Sequence, residues 1–269
     1  VSDTTGYGRL LPVAREAVAR ARRIILSRVP DSVAAKGDRD MVTDIDLAVE
    51  EAVRDFLARE TPEIGFLGEE HGRTGPAGGA PWWVLDPVDG TANLARGIPL
   101  NAVSLALVSG DRGVLAAIDL PFLRTGYTAV AGRGAYAGEE RIRASGVGTL
   151  PEAVISIGDF AVGAGADAKN RVRIALLTRL GARAQRIRMI GTAAIDLAWV
   201  AEGRLDASIS LANLPWDTMA GALLVREAGG LVLDQDGTEH VVGSSATVAV
   251  CAGLREAVLE VLREAHRDA

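Results

Sequence analysis

The run Trp82-Trp83-Val84-Leu85-Asp86-Pro87-Val88-Asp89-Gly90-Thr91 carries an apolar stretch into two aspartates, a proline and a Gly-Thr pair. It reads as a buried strand that delivers its carboxylates to a helix N-terminus. Carboxylates three positions apart can face one divalent cation, and the free backbone N–H groups of Gly90, Thr91 and Ala92 can hold a phosphate. Metal beside phosphate points to phosphoryl chemistry.

Three more acids stand at element boundaries: Asp46 after Val42-Thr43, Glu69 in Leu67-Gly68-Glu69-Glu70, and Asp217 in Pro215-Trp216-Asp217-Thr218. Taken singly, each is explained as an N-cap or first-turn residue. As a set they are a source of oxygen ligands. A hard cation such as Mg²⁺ keeps several waters, so a few carboxylates plus substrate phosphate suffice. No nucleophile-base arrangement involves His71, His240 or His266. His71 reads as an exposed loop residue.

These acids need elements to position them. Leu10 to Leu26 repeats apolar residues at helical spacing, and a second helix is expected to follow Asp46. Val29 to Asp44, rich in Asp, Lys and Gly, reads as a mobile loop between them. From Ile64 to about Tyr136 short β-rich runs follow one another: Ile64 to Leu67, Trp82 to Leu85, Ala102 to Val108, Gly113 to Ile118 and Gly126 to Val130, with a loop at Gly72 to Pro81. The remainder alternates strand and helix: strands at Ala153 to Ile157, Ala184 to Ile187 and Asp206 to Ile209, and helices at Ala168 to Leu180, Ala193 to Ala201 and Trp216 to Glu227. Strands Gly230 to Leu233 and Ala246 to Val250 and a last helix from Leu254 follow. The alternation predicts an α/β layered fold. Ser145 to Leu150 marks the boundary between halves 1–145 and 146–269 of one structural unit, with the site where they meet.

With 269 residues, 48% of them hydrophobic, the chain can bury a sizeable core. A formal charge of −6 disfavours a basic nucleic-acid groove. Cys251 is the single cysteine, so no intrachain disulfide forms, and its apolar setting predicts a buried, inert thiol. No run approaches the roughly 18 apolar residues of a membrane span, and the N-terminus lacks a signal pattern. A cytoplasmic protein is expected.

Five segments, in order, resemble the signature motifs of the inositol monophosphatase family of Mg²⁺-dependent, lithium-sensitive phosphatases. They are Asp40-Met41-Val42-Thr43-Asp44-Ile45-Asp46, Gly68-Glu69-Glu70, Asp86-Pro87-Val88-Asp89-Gly90-Thr91-Ala92-Asn93, Gly191-Thr192-Ala193-Ala194 and Trp216-Asp217-Thr218-Met219-Ala220-Gly221. The resemblance implies a five-layer αβαβα sandwich, a homodimer, and two or three Mg²⁺ ions, for which Mn²⁺ can substitute. It further implies that Glu69, Asp86 and the carbonyl of Val88 bind the first ion, and that Asp86, Asp89 and Asp217 bind the second. A third, weaker ion would lean on Glu69. Thr91 and Glu69 would orient the attacking water, with Asp46 accepting the Thr91 hydroxyl hydrogen bond.

On the substrate side the resemblance assigns Asp89, Gly191, Thr192, Ala193, Ser210 and Asp217 to the alcohol moiety, although Gly191-Thr192-Ala193 also reads as a plain helix cap. Animal-type members carry an acid seven positions before the aspartate of the second signature, where this chain has Ser210. The implied activity is that of an inositol-1-monophosphatase acting on a small polyol or sugar phosphate. The alternatives are the same chemistry on histidinol phosphate, another sugar phosphate, fructose 1,6-bisphosphate or a specialised-metabolite intermediate, and a non-enzymatic regulatory module. Arg183, Arg186 and Arg188 read as a solvated face or as a contact to a second phosphate or a dimer partner.

Overall fold

The computed structural model describes residues 4–37, 40–76, 81–212 and 214–269. Helix α1 (Leu11–Ser27) buries Ala14, Ala17, Val18, Ala21 and Ile25, a stripe at spacings of three and four. A hairpin of β1 (Val33–Gly37) and β2 (Asp40–Thr43) leads into α2 (Asp44–Glu60). The segment expected to be a loop therefore pairs with itself among its described residues. The helix also starts two residues before Asp46. Thr43 is extended and its hydroxyl accepts the Ile45 N–H, while Asp46 reaches back to the Thr43 N–H, a capping box that fixes the start.

Strands β3 (Gly65–Gly68), β4 (Gly72–Thr74) and β5 (Trp82–Asp89) follow, then the short α3 (Thr91–Ala95), β6 (Ala102–Ser109), β7 (Arg112–Leu120), β8 (Thr125–Val130), β9 (Ala135–Ala137) and β10 (Glu140–Arg141). They form one eight-stranded sheet, β10-β9-β8-β7-β6-β5-β3-β4, in which only the β3–β5 pair is parallel. The loop expected from Gly72 instead begins as edge strand β4; residues 77–80 lie outside the described residues.

The second half contributes β11 (Val154–Ile157), α4 (Ala166–Arg183), β12 (Arg186–Arg188), α5 (Ala193–Ala201), β13 (Ala207–Ser210), α6 (Pro215–Glu227), β14 (Leu231–Leu233), β15 (Thr247–Val250) and α7 (Arg255–Arg267). Its sheet runs β12-β11-β13-β15-β14. The crossovers into β12 and β13 cross β11 in opposite directions, so right-handed connections put α4 and α5 on opposite faces. Helix α4 extends to Arg183, which displaces the strand expected at Ala184 to Arg186–Arg188. It also turns Arg183 onto Glu264, 2.8 Å away, leaving Arg186 and Arg188 exposed on the edge strand.

Three cores hold five layers together. Helices α1 and α2 pack on one face of the large sheet, α5 and α6 lie between the two sheets, and α4 and α7 cover the outer face of the small one. Strand β6 shows why its sequence is apolar throughout: Ala102, Ala106 and Val108 enter the middle core, while Val103, Leu105 and Leu107 enter the core under α1 and α2. Helices α5 and α6 are apolar on all sides because they have no solvent face.

Cys251 is buried, as expected. His240 is fully buried; burial and the neighbouring Arg226 hold its imidazole down to about 4, against a small opposing pull from Asp234. The native state thus favours the neutral ring. Stability is intact above the unfolded imidazole value and falls as pH drops from about 6.5 towards about 4, by about 3 kcal/mol at most. Chemical denaturation across that range should show a flatter acid limb for His240→Gln, and identical limbs would refute the assignment.

Candidate active site

The site is built around an irregularity in β5. Trp83 and Leu85 enter the core under α1 and α2 and Val84 enters the middle core, as alternation requires. Strict alternation would send Val88 to the middle core, yet it joins Trp83 and Leu85. The pairing with β6 explains this: Asp86 faces Ser104 and Asp89 faces Ala102, so three steps on β5 match two on β6. This β-bulge falls at Pro87, which has no N–H to give the ladder. In consequence Asp86 and Asp89 open onto one cavity instead of opposite faces.

Past the bulge, Gly90 adopts φ 95°, and a Cβ there would sit 2.9 Å from the Leu100 carbonyl oxygen. That position therefore requires glycine. The chain turns directly into α3, with the Leu94 N–H donating to the Gly90 carbonyl at 3.0 Å. The N–H groups of Thr91 and Ala92 lie in the first turn of this helix and have no partner within it.

The Thr91 hydroxyl lies 2.9 Å from Asp46 Oδ1 and 3.0 Å from the Val88 carbonyl oxygen, with one proton to share between them. Asp46 is held on its other oxygen by the Thr43 N–H at 3.0 Å and by the Thr43 hydroxyl. One carboxylate thus caps α2 and fixes Thr91. Burial raises its pKa above the ordinary carboxylate value, and the Thr43 and Thr91 bonds offset part of that rise.

Glu69 is carried by the turn after β3, and the anchor of that turn is Glu50, a residue sequence reasoning passed over. Glu50 is fully buried and accepts the N–H groups of Glu70 and His71, both at 2.8 Å, with His71 Nδ1 also 2.9 Å away. Its signal was present: Glu50 follows Asp46 by four on the buried face of α2. His71 is half exposed, yet it is not a free loop residue. Glu50→Ala would strand two N–H donors and cost about 2–3 kcal/mol. A melting temperature equal to wild type would contradict this anchoring role.

From the second half, the Thr192 hydroxyl and the Ala194 N–H donate to Asp89 Oδ2 at 2.8 and 2.5 Å. Thr192 also caps α5 by accepting the Ile195 N–H, so cap and contact coincide. Asn93 spans the same junction, donating to the carbonyls of Leu100 and Ile190. Asp217 sits in the first turn of α6, its Oδ2 accepting the Leu214 N–H at 2.9 Å.

Glu69, Asp86, Val88, Asp89, Gly90, Thr91, Ala92, Gly191 and Asp217 all line one cavity of about 180 Å³. Thr192, Ala193 and Ser210 line an adjoining one of about 220 Å³, which shares Asp89, Gly191 and Asp217 with the first. Asp46 stands behind the first cavity, reaching it through Thr91.

Among the described residues no lysine, arginine or histidine lines the smaller cavity. Burial, then the charges of Asp89, Glu69, Asp217 and Asp46, push the Asp86 carboxyl well above its ordinary range. Asp89 is pushed up to about 6 by burial, with the Ala194 and Thr192 bonds restraining the rise. Buried acids gathered this closely suit a positive ligand. Among the described residues no three His, Cys, Asp or Glu side chains close into a cage for one. An open half-shell of carboxylates and a carbonyl, completed by water and phosphate, is the arrangement Mg²⁺ prefers to such a cage.

The profile of the inositol monophosphatase family matches residues 8–267. The chain belongs to the inositol monophosphatase family. Inositol-1-monophosphatase ImpA of Mycolicibacterium smegmatis is 36% identical over 233 residues, 87% of this chain and 84% of that protein. The Nus factor SuhB of Salmonella typhimurium strain LT2 is 33% identical over 264 residues, 97% of this chain and 98% of its own length. The crystal structure of the extragenic suppressor protein suhB from Bartonella henselae superposes with a TM-score of 0.89 at 32% identity, covering 95% of this chain and 98% of that one. The layered α/β fold expected from the sequence is the fold of this inositol monophosphatase family member, and members of the family are metal-dependent enzymes acting on small phosphate esters. Among the described residues no helix is long and apolar enough to cross a membrane.

Proposed function

We propose that this chain hydrolyses the phosphate monoester of a small polyhydroxylated alcohol, with inositol 1-phosphate as the reference substrate. The observation that carries the reading is the convergence of Glu69, Asp86, Val88, Asp89 and Asp217 on one cavity. Glu69, Asp86 and the Val88 carbonyl would hold one Mg²⁺, and Asp86, Asp89 and Asp217 a second, with a weaker third at Glu69; Mn²⁺ is the expected substitute. The ions would supply charge neutralisation at the phosphate and a water acidic enough to attack at neutral pH.

The chain's own residues do the positioning. The N–H groups of Gly90, Thr91 and Ala92 bind phosphate oxygens. With the Val88 carbonyl engaged elsewhere, Thr91 gives its proton to Asp46, and its oxygen lone pair is left to orient the attacking water, together with Glu69. Asp46 cannot turn away because Thr43 holds its second oxygen. Asp89, Gly191, Thr192, Ala193, Ser210 and Asp217 bound the space for the alcohol. Ser210 offers less than a carboxylate would, because its hydroxyl already donates to the Ala212 carbonyl at 2.6 Å.

Phosphate release from inositol 1-phosphate, sugar phosphates and histidinol phosphate, with Mg²⁺ and with EDTA, tests the reading through kcat/KM values. Mg²⁺-dependent release that lithium inhibits is expected, from a homodimer by sedimentation. The relative named a Nus factor supports a second reading, a regulatory module on the same fold. Absence of release from every ester would favour it.

A further inference from the structure

We propose that the alcohol-side cavity selects esters whose alcohol part carries a protonated amine, held by Asp159 and Asp196. The proposal rests on the phosphomonoesterase reading and names its substrate class more narrowly. The cavity adjoins the phosphate side through Asp89, Gly191 and Asp217, so an ester bound with its phosphate at Gly90 to Ala92 directs its alcohol here. Two acids outside the proposed metal ligands line it, Asp159 and Asp196, and among the described residues no Lys, Arg or His does.

Asp196 is the decisive group. It is 4% exposed, on the first turn of α5, and its Oδ1 has no hydrogen-bond partner. A buried carboxylate oxygen left unpaired is costly, and because Asp196 lines the cavity, a ligand donor beside this carboxyl relieves the cost. The Ser156 hydroxyl stands nearby, yet it makes no bond of hydrogen-bond geometry and is itself unpaired. Burial, restrained by the nearby Ser156 hydroxyl and reinforced by the charges of Asp89 and Asp159, pushes the Asp196 carboxyl up to about 8. A cation beside it removes that penalty. Asp159, exposed at the mouth, has no Lys or Arg paired to its side chain among the described residues.

Three hydroxyls of the wall already donate elsewhere: Thr192 to Asp89, Thr218 to the Leu214 carbonyl and Ser210 to the Ala212 carbonyl. These three turn lone pairs to the cavity, which Ser208 and Thr247 also line. Each hydroxyl of a neutral polyol brings acceptor lone pairs with its one donor, whereas an ammonium group brings donors and positive charge only. Asp89 and Asp217 do not enter this comparison, because their charge is answered on the metal side.

The test compares esters that differ by one amine for one hydroxyl: the six-phosphates of glucosamine and glucose, and aminoethyl against hydroxyethyl phosphate. At about pH 7, where these amines are largely protonated, wild type with saturating Mg²⁺ should favour the amine in kcat/KM by about tenfold or more. Asp159→Asn and Asp196→Asn should each bring the ratio towards one by raising KM for the amine ester alone. Asp159 is exposed, so its variant keeps the test valid if Asp196→Asn does not fold. A wild-type ratio at or below one in both pairs, or a ratio that neither variant lowers, overturns the proposal. If inositol 1-phosphate is hydrolysed while the pairs show no amine preference, only this inference fails. If no ester is hydrolysed, the phosphomonoesterase reading fails with it.

Discussion

Asp86→Asn should lower kcat by about a thousandfold or more, because the carboxylate proposed to hold both ions would contribute several kcal/mol to binding them. The same substitution should make the metal-free protein more stable. Asp86 is buried and surrounded by Asp89, Glu69, Asp217 and Asp46, so its ionised form is opposed from every side. An asparagine of the same shape removes that charge and can still accept the Val88 N–H that now reaches Oδ1 at 3.0 Å. Its folded-state affinity for a proton is raised, so the stability it contributes is present below the ordinary carboxylate range and lost as pH rises through the folded value. At neutral pH and above, metal-free wild type should melt below the variant, by about 2–4 °C for each kcal/mol relieved. Mg²⁺ should reverse the order, since a ligand of the native state stabilises only the protein that binds it. Thermal melts in EDTA and in Mg²⁺ read both effects. Near-normal turnover of purified Asp86→Asn at saturating Mg²⁺ would end the metal-site assignment.

Thr91→Val should lower kcat by about a hundredfold, and Asp46→Asn by a similar factor, with little change in KM. The two act as one device: Asp46 takes the Thr91 proton at 2.9 Å, and Thr91 has no orienting role once that acceptor is changed. The double variant should therefore be hardly worse than either single one, a coupling that a double-mutant cycle measures directly. Thr91→Ser, which keeps the hydroxyl, should retain most activity. Asp46→Asn carries a further cost of about 1 kcal/mol, because the carboxylate also caps α2. Fully additive losses would show that the two residues work independently and would remove Thr91 from the water-orienting role.

Much of this site was legible because its residues are close in sequence or sit at the ends of patterned elements. Asp86, Asp89 and Gly90 follow an apolar strand, and Asp217 and Thr192 open helices that are apolar all round. What escaped is tertiary. In the hairpin β1–β2 the apolar residues Val33, Ala34 and Ala35 are consecutive and exposed, so the hairpin lacks the alternation that marks a strand. Glu50 looks like a surface residue in a helical pattern, and its acceptor role exists only because the Gly68 turn folds over it; a Cβ on Gly68 would meet its carboxylate at 2.3 Å. Asp196 interrupts an apolar helix at a position that reads as a dipole-favoured first-turn acid. Nothing in its spacing shows that the carboxylate lines the same cavity as Asp159, which follows β11.

The bulge at Pro87 makes the spacing of the acids a matter of chain length. Removing any one residue between Asp86 and Asp89 would rephase everything after it, bringing Asp89 round towards the core now filled by Val88 and carrying Gly90 out of its turn. No replacement side chain at positions 87 or 88 can restore the phase. A complete substitution scan of these two positions would therefore undervalue them, and a single-codon deletion would reveal what they do: they count.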